Sequence, residues 1–183
     1  MARELFHEVT DFWLAPETRA KWFVKDPAFD AEVARRLQSH HERALAGRYD
    51  GWRDTAEGCL ALAVLFDQVP RNLFRGSARA FASDPQARAV ARHALERGYD
   101  KGLDQWRRLI LYLPFEHSEE PADQELCCRL VAALDEHPDW LRYAEARRDL
   151  VARFGRFPHR NAALGRASTA QEECYLAQPD AGI

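Results

Sequence analysis

Three stretches of the sequence carry side chains whose types and spacing could do chemistry. The first is Arg153–Arg166, RFGRFPHRNAALGR, with four arginines, one histidine and no acidic residue. Unpaired buried charge is too costly for such a segment to lie unaided in a core. Its arginines must face water, an anion, or carboxylates from elsewhere in the chain. Arg156, His159, Arg160 and Asn161 have the make-up of an anion clamp, because forked guanidinium groups take carboxylate or phosphate through paired hydrogen bonds. The structural alternative is that these arginines neutralise Asp67, Glu119 and Asp123. Phe154 and Phe157, interleaved with the arginines, could stack on bases of a single strand. Without a wider basic surface they are expected to be core anchors.

The second stretch is Glu116–Asp123, EHSEEPAD. A carboxylate beside a histidine raises its pKa and suits it to general acid–base work. His117 and Glu119 are therefore candidate catalytic residues, with Ser118 and Asp123 as candidate ligand contacts. The same donors could hold a divalent metal, but they lack the histidine spacing of a zincin, and no residue is assigned to a metal. The alternative is that His117 and Glu119 hydrogen-bond the loop and cap the next helix. The third stretch is Asp67–Arg75, DQVPRNLFR. Asp67 follows an apolar helix near its C-terminal end, where the helix dipole disfavours a carboxylate. It needs a cation, from Arg71, Arg75 or the Arg153–Arg166 loop. Asp67 is a third candidate catalytic residue, and Gln68, Arg71, Asn72 and Arg75 are candidate ligand contacts. A structural ion pair is the competing reading.

The elements that must position these groups are helical throughout. Apolar residues recur at helical spacing in Glu4–Leu14, Phe29–Ala46, Ala122–Glu136 and Trp140–Phe154. Ala56–Gln68 is apolar on nearly every face and is expected to be a buried central helix that Pro70 ends or kinks. Short helices are expected at Glu17–Val24 and Ser77–Ala82, and a helix from Ser83 or Asp84 to about Arg97 with Pro85 in its first turn. Leu103–Leu113 is expected to stop at Pro114. Ser168 or Thr169 is placed to cap a last helix through Leu176, with Gln171 or Glu172 completing a capping box. Residues 176–183 are expected to be a frayed tail.

The sequence also repeats. RALAGRYD at 43–50 resembles HALERGYD at 93–100; each is followed by a tryptophan, Trp52 or Trp106, and then an apolar helix. A third unit begins at Trp140. Pro70-Arg-Asn and Pro158-His-Arg-Asn each lie eighteen residues after a tryptophan. The expected fold is all-α, a single domain over residues 1–183 built of stacked antiparallel helical hairpins in the manner of tetratricopeptide repeats. Second helices in such a stack run side by side. The layout therefore predicts that Asp67, His117 and Arg160 share one edge.

Composition narrows the function classes. The chain has 183 residues, 46% apolar and 30% charged, with a formal charge of −3. A sequence pI of about 6.2 argues against a dedicated nucleic-acid binder. The longest apolar run, Cys59–Phe66, is too short to span a bilayer, and the acidic, aromatic N-terminus is unlike a signal peptide. Cys59, Cys127, Cys128 and Cys174 show neither CxxC nor zinc spacing and read as reduced thiols of a cytoplasmic protein. Cys59 and Cys174 are expected to be inert core thiols. No nucleophile elbow, glycine-rich phosphate loop or dinucleotide fingerprint occurs, so no cofactor is implied.

Three of these stretches together, LFDQVPRNLFRG, LPFEHSEEPADQE and RFGRFPHRNAALGRAST, with DFW and WFVKDPAFD near the start, resemble the bacterial family classed as domain of unknown function 924. The resemblance runs from about Val9 to Leu176. It implies an all-helical, tetratricopeptide-like fold and brings no reaction or ligand with it. Three functional expectations follow. The first is one charged pocket for a small anionic ligand, a phosphate or carboxylate, with acid–base chemistry at His117. The second is a peptide- or protein-binding scaffold whose charged cluster is structural. The third is a metal-assisted hydrolase.

Overall fold

Asp26 sets the start of the first long helix. Its carboxylate accepts the amides of Ala28 and Phe29 at 2.9 and 3.2 Å, and Pro27 occupies the first helical position. The helix ends where Gly47 turns to φ +73°, a left-handed conformation that favours glycine. The computed structural model describes residues 2–135, 137–179 and 181, and among them every regular element is helical. In chain order these are α1 (Ala2–Leu14), α2 (Pro16–Arg19), α3 (Pro27–Leu45), α4 (Ala56–Ala63), α5 (Val69–Leu73), α6 (Asp84–Glu96), α7 (Gln105–Glu116), α8 (Pro121–Val131), α9 (Pro138–Phe154) and α10 (Ala170–Leu176). The all-α class is as the sequence predicts. Gly98, like Gly47, is left-handed, and each is followed by a short 3-10 turn, so the repeat is visible in the local backbone.

Several boundaries differ from expectation. The helix expected over Glu17–Val24 is only Pro16–Arg19. Trp22 stacks on Trp13 and donates its indole N–H to the Trp13 carbonyl at 3.0 Å, an arrangement the turns after Arg19 make possible. Ser77–Ala82 yields only a 3-10 turn at Ala78–Ala80. Pro114 does not stop α7, which runs on to Glu116. Pro114 forfeits the bond to the Ile110 carbonyl, but Leu109–Leu113 and Phe115 are all buried, and that packing carries the helix through it. Of the expected tail, residues 177–179 and 181 form turns and a bend, while Asp180, Gly182 and Ile183 lie outside the described residues.

Pro70 neither ends nor breaks the central helix. Between α4 and α5 the chain makes a π-helical turn, Val64–Gln68, in which the Val69 amide reaches back five residues to the Val64 carbonyl. The cause is local. Proline has no N–H, and its ring clashes with the carbonyl four residues earlier. Widening the turn relieves the clash but moves the Val69 amide from the Leu65 carbonyl to that of Val64, and Pro70 has no N–H for the Phe66 carbonyl, so both carbonyls want a donor. Side chains from elsewhere meet them: His41 Nδ1–H donates to Leu65 O at 2.8 Å, and Ser83 Oγ to Phe66 O at 2.6 Å. Ser83 stands at the N-cap position of α6 yet makes no capping bond, because its hydroxyl is committed to Phe66.

The chain divides into two compact units, Met1–Arg75 with Arg79–Pro114, and Gly76–Ala78 with Phe115–Ile183. In the first, α4 lies at the centre, packed by α1 and α6, and α3 packs on α5. Cys59 to Phe66 are all buried. Gly58 allows α4 to approach the preceding turn, since a Cβ there would come within 2.0 Å of the Trp52 carbonyl. In the second unit α8 packs along α9, around Phe115, Cys127, Val131, Ala144, Val151 and Phe157. No described helix is long and apolar enough to cross a membrane.

Candidate functional site

In the second unit the loop after α9 folds onto the segment joining α7 and α8. Arg166 forks onto Glu119, with Nη1 and Nη2 at 2.7 and 2.9 Å from its two carboxylate oxygens, and Glu119 also accepts the Phe157 amide at 2.8 Å. Burial alone would raise the Glu119 pKa, but the Arg166 guanidinium and the Phe157 amide outweigh it and hold the carboxyl below its ordinary value. Arg160, almost fully buried, donates from Nη2 to the His117 carbonyl at 2.9 Å. The His117 and Arg160 stretches thus meet within this unit. Arg156 forks onto Glu172 at 2.6 and 2.8 Å.

Glu172 has two roles. It completes a capping box with Thr169 at the start of α10, accepting the Thr169 amide at 2.7 Å, and it receives Arg156. The Arg156 guanidinium, followed by that amide, draws its carboxyl pKa down to about 2. Asn161 is buried and links the loop to itself, donating to Ser168 Oγ and accepting from Arg166 Nε, each at 3.0 Å. Ser118 Oγ accepts the Glu120 amide at 3.1 Å. Gln124 Nε2 donates to the carbonyls of Glu116 and Ser118 at 2.7 and 2.6 Å, covering the C-terminal end of α7. Glu116 is buried against Arg147 Nε at 2.8 Å. Asp123 is buried in the first turn of α8, and His159 packs its ring near Phe157.

In the first unit Asp67 finds the cation its position demands. Arg71 Nη1 lies 3.1 Å from Asp67 Oδ1, donates to the Asp67 carbonyl at 2.6 Å, and forks onto Asp84 at 2.9 and 3.1 Å. Burial would lower the Arg71 pKa; the two carboxylates reverse this and raise it. The Gln68 amide donates to the other Asp67 oxygen. Arg75 turns away to Asp30, at 2.6 and 2.8 Å, and to Asn72 Oδ1 at 3.1 Å. Asn72 in turn donates to the Gln68 carbonyl at 3.1 Å.

The same unit holds a cleft of 690 Å³ between α1, α2 and α3, whose lining includes Asp11 and Phe12 of the DFW stretch and Phe29 of WFVKDPAFD. Phe12, Phe29 and Leu37 supply apolar lining, and Asp11, Glu17 and His40 are among the polar groups around it. His40 pairs through Nδ1 with the Tyr49 hydroxyl at 3.0 Å, and its Nε2 lies 3.5 Å from Glu8. Burial, only partly offset by Glu8, lowers the His40 pKa. Helical spacing alone makes these positions read as ordinary amphipathic surface.

A family model for bacterial proteins of unknown function, DUF924, matches residues 9–180. The chain belongs to the DUF924 family. A solved chain, the protein of unknown function ATU0120 from Agrobacterium tumefaciens, is 43% identical; the match covers 97% of this chain and 99% of that one, with a TM-score of 0.90. No curated protein matches.

Within this DUF924 chain the motif residues form two charge lattices, one in each unit. Each motif arginine named above has a carboxylate or a carbonyl of its own unit in its fork. Among the described residues no group of three or more His, Cys, Asp or Glu side chains is placed to hold a metal ion. The thiols divide differently from expectation. Cys59 is buried, and burial raises its pKa to about 11, whereas Cys174 lies exposed on α10 and is not a core thiol. The apolar neighbours that suggested otherwise, Tyr175 and Leu176, occupy a different side of that short helix and are themselves half-buried.

Proposed function

We propose that this protein is a peptide-binding helical scaffold and that its charged motif cluster ties each unit together. The observation that carries the reading is the closure of the arginine forks: Arg166 on Glu119, Arg156 on Glu172 and Arg71 on Asp67 and Asp84. An anion clamp needs donors held ready for a ligand. Here the forked donors already hold internal carboxylates, whose exchange for a ligand would strand a partly buried charge. Glu119, held ionised by Arg166, is likewise engaged as an acceptor and not poised to exchange a proton with His117. The stacked-hairpin arrangement inferred from the repeats accords with a scaffold, as does the open cleft beside α3. Four free thiols fit a reducing compartment, so a cytoplasmic location is part of the proposal.

The test is thermal melting with a panel of phosphorylated and carboxylated metabolites. The scaffold reading expects no specific rise in melting temperature, together with a clear loss of stability in Arg166→Ala. A saturable rise with one anion, abolished in Arg160→Ala while that variant still folds, would replace it with the small-anion reading.

A further inference from the structure

We propose that the cleft between α1, α2 and α3 is the docking groove for a basic peptide segment, whose lysine or arginine head is received by Asp11 and Glu17 and whose stem lies on Phe12. The inference rests on the scaffold reading and adds to it a place and a chemistry.

Three observations converge on it. First, the cleft volume of 690 Å³ falls within the range of about 300–1,000 Å³ common to ligand sites. It suits a few residues of extended chain. Second, the aromatic lining already takes cations. The Arg36 guanidinium sits 4.8 Å from the Phe12 ring centre, and the Lys21 ammonium 5.6 Å from that of Phe29. Phe29 is only 3% exposed and its cation is internal, whereas Phe12 is half-buried and keeps ring surface along which the stem of a lysine or arginine buries well. Third, carboxylates outnumber cations. Glu8, Asp11, Glu17 and Glu32 line the cleft against Lys21 and Arg36. Arg36 is held by Glu32, and Lys21 lies 3.6 Å from Asp26 outside the lining. Among the described residues Asp11 and Glu17 make no ion pair. His40 does not redress the balance, since burial keeps it below its ordinary pKa. An acidic segment would meet uncompensated like charge, and a neutral one would leave the surplus unanswered.

The test is fluorescence anisotropy on the full chain with a labelled peptide of alternating lysine and leucine, alongside its glutamate–leucine and serine–leucine counterparts. The lysine peptide should bind and weaken as salt is raised. The Asp11→Asn/Glu17→Gln double variant should bind it about twofold to thirtyfold more weakly, the range for losing two exposed ion pairs. Glu145→Gln, an exposed carboxylate of α9, should leave binding unchanged. Equal binding by the double variant overturns the proposal. So does preference for the glutamate or serine peptide, which needs no variant and leaves the scaffold reading standing with another ligand chemistry. Binding of none of the three overturns the scaffold reading as well.

Discussion

If Pro70 causes the π-helical turn, then the side chains that cover the released carbonyls should lose their importance once an N–H is restored at residue 70. Ser83 is the cleaner probe. It is buried, its hydroxyl donates to Phe66 O at 2.6 Å, and it makes no capping bond that its removal would confound. Ser83→Ala removes one oxygen and leaves a buried carbonyl short of a donor. That asymmetry, an unmade bond rather than a replaced one, is worth about 1–3 kcal/mol. In a chain of this length each kcal/mol lowers the melting temperature by about 2–4 °C. Pro70→Ala supplies an amide that can reach Phe66 O in an α-helical register or Leu65 O in a π-helical one. In that background the need for an outside donor falls, so either Ser83→Ala or the matching His41→Leu should become cheaper by at least about 0.5 kcal/mol, a coupling of the size contacting residues show. Urea unfolding followed by circular dichroism on the four corners of each cycle measures it. Strict additivity in both cycles would refute the reasoning: Pro70 would then not be what frees these carbonyls.

Other outcomes follow from single sites. Leu62→Ala, at the buried centre of α4, should cost about 2–5 kcal/mol in urea unfolding, and unchanged stability would contradict its central place. Gly58→Ala should destabilise by about 1–3 kcal/mol or more, since the added Cβ falls on the Trp52 carbonyl, which as backbone cannot swing aside. Arg166→Ala should cost about 1–3 kcal/mol, between exposed and buried ion pairs, and more at low salt than at high. Glu172 has a folded pKa of about 2 against an ordinary 4.5, so its stabilisation is full above pH 4.5 and is lost as pH falls towards 2; the stability gap between wild type and Glu172→Gln, measured by urea midpoint, should close over that window. A thiol reagent should label Cys174 quickly in the native protein and Cys127 only on unfolding, because burial pushes the Cys127 thiol well up.

What the sequence disclosed and what it withheld divide along the range of the interactions. Helix α3 was legible because its apolar stripe of Phe29, Val33 and Leu37 lies within the element, although Asp26 and Pro27 move its start two residues ahead of the expected Phe29. The capping box of α10 was legible for the same reason, Thr169 and Glu172 being three residues apart. The second duty of Glu172, holding Arg156, depends on a loop sixteen residues away, which left the arginine's partner open between a ligand and a carboxylate. Pro70 shows the limit most clearly. Locally it reads as a stop or a kink, and only His41 and Ser83, 24 and 17 residues distant from the carbonyls they cover, allow the helix to continue through it.

The proposed groove was hidden for the opposite reason. Asp11, Glu17 and Arg36 are unremarkable on their helices α1, α2 and α3, and only the fold brings them to one cleft with Phe12 and Phe29. The motif arginines attract attention because they are numerous and clustered, and clustering is what internal lattices require. The groove carboxylates attract none, yet Asp11 and Glu17 are left without ion pairs among the described residues. Where the clustered charges are matched within the fold, the unmatched ones are the better guide to what the surface is free to bind.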